Sequence, residues 1–263
     1  MKKTILLTGA TDGIGLELAK KLAGEGHSLL LHGRSKDKLE TLKTTLLEQN
    51  KSIELELLQA DLSDLAETKK MVDQVLKIGR NIDVLINNAG IYVTNSPKNA
   101  DGYDVRFMVN AVAPYYIAKG LLPLLGEKSR VVNVSSAAQS PVNFDKFLEK
   151  GNFTNDEAYA QSKLALILWT MEIAESVKSV MTVSVNPKSF LGSKMVKEAY
   201  GREGYDLSYG VNILYKASFS EEFAKASGKY YDNDNQCFAN PHPFAQNKEM
   251  RKKWMDILVR FEI

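Results

Sequence analysis

The chain begins with an apolar run, a glycine-rich turn and a helical pattern, in that order. Residues 4–8 predict a short buried strand. The turn follows as Thr8-Gly9-Ala10-Thr11-Asp12-Gly13-Ile14-Gly15, and Leu18 and Leu22 then continue at helical spacing. Glycines in such a turn let the backbone approach a pyrophosphate, which rests on the free N–H groups at the start of the helix. We therefore predict a dinucleotide site; a tight strand-to-helix turn without a ligand is the alternative.

Strand-like and helical patterns alternate along most of the remaining chain. Further strand candidates lie at 28–32, 53–58, 84–86, 131–134, 181–185 and, more weakly, 229–231. Helical patterns lie at 39–46, 71–78, 107–125 and 158–177. Such alternation implies right-handed crossovers and a parallel sheet covered on both faces. We predict one α/β domain over residues 1–263, a Rossmann-type doubly wound parallel sheet of about seven strands.

Charge and cysteine content exclude several classes of function. The formal net charge is only +2, and lysines and arginines alternate with acidic residues, so we expect no nucleic-acid partner. The single cysteine, Cys237, cannot form an intrachain disulfide, and its neighbours supply no base or cation that would favour a thiolate. The histidines at 27, 32 and 242 have no ligand-like spacing with cysteines or acids, so we predict no catalytic metal.

No apolar stretch approaches the length of a membrane span, and the run at 5–7 is too short for a signal peptide. We therefore expect no membrane span and a cytoplasmic protein.

The end of the second strand indicates which dinucleotide would bind. An NAD site usually carries an acid there, about 20 residues after the turn. This chain has Leu31-His32-Gly33-Arg34-Ser35 and no acid before Asp37. Arg34 is a planar donor suited to a 2′-phosphate, so the sequence predicts NADP(H). A solvated surface arginine is the alternative, and Asp12 is a counter-signal because an acid repels phosphates.

The alternation of strands and helices breaks down at 137–156 and 189–228, each time after a strand ends. Ligands of an open parallel sheet bind at that edge, so we assign both segments to the substrate side. Their aromatic residues could line an apolar pocket for a lipophilic substrate or could simply pack together, and the sequence leaves both open: Phe144, Phe147, Phe153, Phe190, Tyr200, Tyr205 and Tyr209.

Further motifs follow the turn in a fixed order: Asp61-Leu62, Asn87-Asn88-Ala89-Gly90, Asn110, Asn133-Val134-Ser135-Ser136 and Tyr159-Ala160-Gln161-Ser162-Lys163. In this order they resemble the short-chain dehydrogenase/reductase superfamily, in its compact branch. The resemblance covers nearly the whole chain. It implies that the turn at 8–15 and the motif at 88–90 bind the cofactor, and that Asp61 and Leu62 contact the adenine ring.

The same resemblance implies four catalytic residues, Asn110, Ser136, Tyr159 and Lys163. Tyr159 would transfer the proton, and Lys163, four residues later on one helix face, would lower its pKa and contact the nicotinamide ribose. Ser136 would hydrogen-bond the substrate oxygen, and Asn110 would help to hold a water near Lys163. The expected reaction interconverts a carbonyl and an alcohol, with hydride transfer from the nicotinamide.

Two features are similar to the retinol dehydrogenase-like and protochlorophyllide reductase-like members. The insertion between Ser136 and Tyr159 is longer than in the minimal members, and the tail has Gly228-Lys229-Tyr230-Tyr231 before a helix with Trp254. The family often forms homodimers through the helices that correspond to 107–125 and 158–177, so a homodimer is also expected.

The chain departs from the family pattern after the sixth strand. The family usually has Pro-Gly and then a threonine near the nicotinamide amide, whereas this chain has Asn186-Pro187-Lys188. The resemblance gives cofactor contacts to Pro187 and to Ser189, with Ser193 as the alternative to Ser189. A lysine at a position that favours positive φ would be strained.

Two rival interpretations remain open. The chain could be a non-catalytic redox sensor that binds NADP(H) and regulates a partner, although a sensor has no need of the tyrosine acid. It could also be an epimerase or dehydratase on the same scaffold, but those members are longer and space their glycines differently.

Overall fold

A computed structural model describes residues 1–201 and 203–261 of the chain. Within these residues the backbone forms one central sheet of eight strands. The strands are β1 (Thr4–Leu7), β2 (Ser28–Gly33), β3 (Leu55–Gln59), β4 (Ile82–Asn87), β5 (Leu125–Val134), β6 (Met181–Asn186), β7 (Tyr230–Asp232) and β8 (Cys237–Ala239).

The strand order fixes where a ligand can bind. The order across the sheet is β3-β2-β1-β4-β5-β6-β7-β8, and all neighbours pair in parallel except β7 and β8. The order reverses between β1 and β4, so the connections after these two strands leave toward opposite faces and open a crevice. The predicted doubly wound parallel sheet is confirmed, with one strand more than expected.

Helices cover both faces of the sheet. They are α1 (Gly13–Gly24), α2 (Lys36–Gln49), α3 (Leu65–Ile78), α4 (Val105–Phe107), α5 (Ala113–Gly120), α6 (Phe144–Leu148), α7 (Asn155–Ser176), α8 (Lys194–Tyr200), α9 (Ser208–Phe219), α10 (Pro243–Gln246) and α11 (Lys248–Leu258). Helices α1, α2 and α9 pack on one face, and α3, α5, α7 and α11 pack on the other.

Alternate strand residues supply the two cores. In β1, Leu6 belongs to the core beneath α7, whereas Ile5 and Leu7 belong to the core beneath α1. This follows from the two-residue period of a strand, and it explains why the strands of a sheet covered on both faces appear as continuous apolar runs.

The prediction of one continuous helix over residues 107–125 is wrong. The chain forms α4, a π-helical turn at Met108–Val112, α5, and a 3-10 turn at Leu122–Leu124. Leu125 already begins β5. The apolar spacing runs through α4, the π-helical turn and α5, which all contain buried residues, and on into the less buried Leu122–Leu124, so periodicity alone does not mark these changes.

The C-terminal helix α11 packs against α7. Arg251 is 2% exposed, and its guanidinium lies 2.6 Å from the Glu172 carboxylate and 2.9 Å from that of Glu175. Trp254 is fully buried against Phe144 and Phe147. A homodimer paired through the helices at 107–125 and 158–177 stays a prediction.

Among the helices of the described residues, none combines the length and the apolar character that a membrane crossing requires.

Candidate active site

A cavity of about 710 Å³ opens at the edge of the sheet where the parallel strands end. The loops after β1 to β6 all contribute to its walls, as expected for a site at the reversal of strand order. It brings together most of the residues predicted from the sequence: Gly9, Thr11, Asp12, Gly13, Ile14, Arg34, Ser35, Asp61, Leu62, Asn88, Ala89, Gly90, Ser136, Tyr159, Lys163, Pro187 and Ser189. Two predicted residues, Gly15 and Asn110, lie behind the wall.

The glycine-rich turn is packed too closely for side chains. Gly9 has φ 67°, and a Cβ on it would lie 2.8 Å from the Cα of Ala89. A Cβ on Gly15 would lie 2.1 Å from the carbonyl oxygen of Gly9. Gly15 therefore acts by letting α1 start directly beneath the turn, which points the helix N-terminus at the cavity.

The Asn88 motif ties the end of β4 to this turn. The Asn88 side-chain amide donates to the carbonyl oxygens of Thr8 and Gly9, at 2.9 Å and 3.1 Å. The Thr8 hydroxyl oxygen accepts from the backbone N–H groups of Asn88 and Ala89, at 3.0 Å and 3.1 Å. The motif therefore supports the glycine-rich turn in addition to lining the cavity.

His32 also supports the glycine-rich turn, a role that was not predicted from the sequence. The backbone N–H of Gly9 donates to Nδ1 of His32, and Nε2 lies 3.1 Å from the carbonyl oxygen of Ala60. The ring therefore acts as a neutral imidazole with its proton on Nε2. Burial lowers the pKa of His32 to about 4, against the opposing effect of the Ala60 carbonyl.

Asp12 has a structural role in the turn. Its carboxylate caps α1 by accepting from the N–H of Gly13 at 2.8 Å. The ammonium of Lys38 lies 3.5 Å from the same carboxylate. Lys38 was missed by the sequence analysis, although its place one turn into the second helix brings it to the cavity wall. The acid is thus partly compensated by a nearby cation.

The end of β2 has no room for an acid at Gly33. A Cβ there would lie 2.7 Å from Cγ2 of Thr11. The next residue, Arg34, is exposed at the cavity edge, and the hydroxyl of Ser35 caps α2 by accepting from the backbone N–H of Lys38. The rim therefore carries cations and a helix N-terminus, which favour an anion.

Asp61 and Leu62 follow β3 and line the cavity. The Asp61 carboxylate accepts from the backbone N–H and the hydroxyl of Ser63, at 2.9 Å and 2.8 Å. Its own N–H donates to the Glu67 carboxylate. These contacts hold the loop in place at the cavity.

Lys163 lies buried beside Tyr159 on α7. Its ammonium donates to the carbonyl oxygen of Val134 at 2.7 Å and lies 5.7 Å from the centre of the Tyr159 ring. A Cβ on Gly90 would lie 3.5 Å from the Lys163 nitrogen, so the glycine leaves space around it. Burial lowers the pKa of Lys163 to about 7, so its charge near neutral pH responds to small changes around it.

Tyr159 is half-buried at the cavity and stacks against Tyr92, with ring centres 4.5 Å apart. The Tyr92 hydroxyl donates to the carboxylate of Asp156 in the first turn of α7. Tyr92 therefore supports one face of the Tyr159 ring. The sequence analysis missed it, although its place two residues after the Asn-Asn-Ala-Gly motif puts it next to the cavity.

Ser136 and Asn110 differ in how they reach the site. The Ser136 hydroxyl oxygen lines the cavity and accepts from the N–H of Ala138, which leaves its O–H free to donate to a ligand. Asn110 is 1% exposed, and its side chain exchanges hydrogen bonds with the backbone of Ile91 and donates to Ser162. Its role in holding a water near Lys163 stays a prediction.

Comparison with known proteins identifies the family. A family model described as short chain dehydrogenase matches residues 3–203. The chain belongs to this family of oxidoreductases. Human retinol dehydrogenase 13 is 28% identical over 97% of this chain and 83% of its own length. Human retinol dehydrogenase 11 is 34% identical over 70% of this chain and 60% of its own length. The expected likeness to retinol dehydrogenases is confirmed.

Solved structures confirm the fold of this short-chain dehydrogenase. An uncharacterized protein from Mycobacterium paratuberculosis superposes with a TM-score of 0.81 over 98% of this chain and 92% of its own, at 23% identity. A short-chain dehydrogenase from Burkholderia cenocepacia, solved in complex with NADP, has a TM-score of 0.69 over 88% and 95% of the two chains, also at 23% identity.

The loop after β6, where this dehydrogenase departs from the family pattern, has the expected positive φ. Lys188 has φ 120° and Phe190 has φ 54°. The Lys188 ammonium lies 4.9 Å and 5.1 Å from the ring centres of Tyr205 and Tyr209. Strained residues persist where the surroundings hold them, and they cluster at functional sites.

Both serine candidates for the missing threonine line the cavity. The Ser193 hydroxyl oxygen caps α8 by accepting from the N–H of Val196. The Ser189 hydroxyl donates to the carboxylate of Asp234 at 2.5 Å, and its backbone N–H donates to the same carboxylate at 3.0 Å. Asp234 was missed because it lies in the distant β7–β8 turn.

The aromatic candidates for the substrate side divide into two groups. Phe144 and Phe147 are buried in the core, and Phe153 packs against Phe107, so packing is the correct interpretation for these three aromatic residues. Of the segment 137–156, Ala138 lines the cavity. In the second segment Phe190 lines the cavity, and the exposed Tyr205 and Tyr209 flank Lys188. The Tyr200 side chain lies outside the described part of the chain.

Only part of the segment 189–228 lies at the cavity. Lining residues come from 189–198, whereas α9 packs against α1 as an ordinary covering helix of the sheet. Cys237 is exposed and its thiol is free. No group of three or more histidine, cysteine or acidic side chains in the described residues is arranged to hold a metal.

The burial of His32 predicts a specific dependence of stability on pH. The folded-state pKa of about 4 lies below the ordinary value of 6.5, so the unfolded chain binds the proton more tightly. Stability is then fully present above about pH 6.5 and falls by up to about 3 kcal/mol as the pH drops toward 4. Denaturant unfolding of wild type and His32→Asn at pH 7.5 and pH 5 measures this loss.

Asparagine can still accept from Gly9 but does not titrate in this range. His27, whose pKa burial also lowers, is present in both proteins and cancels in the comparison. An equally steep loss of stability in His32→Asn would contradict the assignment.

The positive φ of Lys188 predicts that glycine is a better replacement than alanine. Lys188→Ala loses the contacts with Tyr205 and Tyr209, about 0.5–1 kcal/mol each, and keeps the backbone strain. Lys188→Gly loses the same contacts but relieves the strain, so we expect it to be the more stable variant by about 1 kcal/mol. Free energies of unfolding in denaturant decide the order, and an alanine variant as stable as the glycine variant would disprove the strain.

Proposed function

We propose that this chain is an NADP(H)-dependent oxidoreductase that interconverts a carbonyl and an alcohol. The observation that carries the proposal is the pairing of Tyr159 with the buried Lys163 in the cavity that begins at the glycine-rich turn. The Ser136 hydroxyl lines the same cavity with a free donor. A proton donor, a nearby cation and a hydrogen-bond donor are what reduction of a carbonyl needs.

The residues present suit a bound dinucleotide. The turn at Gly9 and Gly15 is a cradle that a Cβ would fill, and α1 points its N-terminus into it. Asp61, Leu62 and the motif at 88–90 would hold the adenine and the adjoining part of the cofactor. When bound, the cofactor supplies the hydride for the carbonyl carbon.

The protein's own residues donate and accept the proton of the reaction. In the reductive direction, Tyr159 gives its phenolic proton to the substrate oxygen while Ser136 donates a hydrogen bond to the same oxygen. The phenolate left behind is stabilised by the Lys163 ammonium, and a proton from solvent restores the phenol. In the oxidative direction the phenolate accepts the alcohol proton, so the same pair serves both directions.

The proposed preference for NADP(H) rests on the rim at β2. Arg34 and Lys38 stand at the cavity edge next to the N-terminus of α2, and Gly33 has no space for the acid that an NAD site uses. Asp12 pairs with Lys38 at this rim, so a 2′-phosphate would meet a cation already in place.

The substrate class we propose is lipophilic. Apolar side chains of Val93, Phe190, Leu191 and Met195 line the cavity beside Tyr92. Relatives named retinol dehydrogenase and polyprenol dehydrogenase are consistent with an apolar substrate. A non-catalytic redox sensor is not favoured, because a sensor gives no reason for Tyr159, Lys163 and Ser136 to meet at one cavity.

Removal of the Tyr159 hydroxyl is the direct test of the reaction. Tyr159→Phe keeps the ring against Tyr92, so the fold and NADPH affinity should survive while turnover falls on the order of 10²- to 10⁴-fold. Lys163→Ala should lose turnover and some NADPH affinity. The measurements are NADPH consumption with a panel of apolar aldehydes and ketones, and NADPH affinity by fluorescence titration. Wild-type turnover in Tyr159→Phe would show that the proton comes from elsewhere.

Arg34→Ala tests the choice of cofactor. Loss of a charge-assisted pair with phosphate should weaken NADPH binding by roughly one to two decades and leave NADH binding nearly unchanged. Lys36→Ala is the matched control, because Lys36 is an exposed cation on the same turn but does not line the cavity. Equal losses for NADPH and NADH would contradict the assignment of Arg34.

A further inference from the structure

The turn between β7 and β8 is hydrogen-bonded to the loop that follows β6. The Asn186 side chain, at the end of β6, donates to Asp232 at 2.8 Å and to Asp234 at 2.9 Å. The Asn233 side chain donates to the carbonyl oxygen of Pro187 at 2.9 Å. Two further hydrogen bonds run from Ser189 to Asp234. The β7–β8 hairpin therefore binds Asn186, Pro187 and Ser189 of this loop from outside the cavity.

The contact with Asp234 decides what the Ser189 hydroxyl can do. Its proton is committed to the carboxylate, so toward the cavity the oxygen can only accept a hydrogen bond. A carboxamide N–H is a donor that such an oxygen would satisfy. The residue lies between Lys188 and Phe190, both with positive φ, so its backbone is held in an unusual path as well.

Serine needs this help more than threonine does. The branched Cβ of threonine restricts χ1, whereas the serine side chain moves among three staggered positions. An external acceptor that binds both the N–H and the O–H of one serine selects a single position of the hydroxyl. The negative charge that this needs is present, because the pKa of Asp234, which partial burial would raise, is lowered on balance by Ser189, Asn186 and the charge of Lys188.

We propose that Asp234 is a positioning residue that orients the Ser189 hydroxyl to accept a hydrogen bond from the nicotinamide carboxamide. The pair performs the task that the family usually gives to a threonine in this loop. Asp234 itself does not line the cavity; we assign its effect on the carboxamide to Ser189, and its other side-chain contact on this loop is with Asn186. This inference rests on the proposed NADP(H) function.

The test compares two ligands that share an adenosine with a 2′-phosphate. NADPH carries the nicotinamide, whereas adenosine 2′,5′-bisphosphate carries only the adenosine and its 2′-phosphate. We expect Asp234→Asn to weaken NADPH binding roughly 3- to 10-fold, the range of one hydrogen bond, and to leave the affinity for the bisphosphate within about 2-fold. Ser189→Ala should give the same pattern, and the double variant should lose no more than either single variant.

Asp232→Asn is the matched control. Asp232 belongs to the same hairpin and also binds Asn186, but it makes no contact with Ser189 among the described residues. It should leave NADPH affinity near the wild-type value. A second readout is rescue: Ser189→Thr, added to Asp234→Ala, should recover part of the lost affinity because threonine restricts its own χ1.

The outcomes separate the two proposals. If wild type binds NADPH and Asp234→Asn binds it equally well, the positioning role is overturned and the proposed function stands. The positioning role is also overturned if Asp234→Asn weakens the binding of NADPH and of the bisphosphate equally. The same holds if Asp232→Asn and Asp234→Asn weaken NADPH binding equally, because the hairpin would then have only a structural role. If wild type does not bind NADPH, the proposed function fails and the inference fails with it.

Discussion

The contact between the glycine-rich turn and the end of β4 leaves no room for a side chain, and the rest of the site is built on it. A Cβ on Gly9 or Gly15 would meet backbone atoms at 2.8 Å or 2.1 Å. Thr8 and Asn88 exchange hydrogen bonds across the same contact. Because β1 and β4 are neighbours where the strand order reverses, this contact fixes the start of α1 relative to the strands that position Ser136 and the helix that carries Tyr159.

Lys163 meets two opposing requirements. In the proposed reaction its charge would have to be close to Tyr159 to stabilise a phenolate, yet burial disfavours that charge and lowers the pKa of Lys163 to about 7. One hydrogen bond to the Val134 carbonyl offsets only part of the lost hydration. Ionisation of Tyr159 would create the opposite charge beside the amine, which favours the ammonium.

The sequence predicted the layers of the fold and most of the cavity, because both depend on local patterns. Apolar runs marked seven strands, and the motifs at 8–15 and 88–90 each follow one of them, whereas the motif at 159–163 lies in a predicted helix. The missed features depend on tertiary contacts. Strand β8 has only three residues, and Leu125 belongs to a strand although its spacing is helical. His32 stands beside the predicted Gly33-Arg34 site, but its contact with Gly9 leaves no pattern in the sequence, and Asp234 is distant in sequence from the loop that it contacts.

The loop after β6 shows how a departure from a family pattern is compensated. Glycine would adopt its backbone path at little cost, whereas Lys188 holds a positive φ that costs about 1–3 kcal/mol in a relaxed chain. Elements distant in sequence share the task of holding it. Asn233 binds Pro187 and Asp234 binds Ser189, both from the β7–β8 turn, and Tyr205 and Tyr209 flank the Lys188 ammonium. The backbone freedom of a glycine is replaced by contacts from outside the loop. The geometry of this wall of the cavity is therefore set by the β7–β8 turn, Tyr205 and the first turn of α9 rather than by the loop itself.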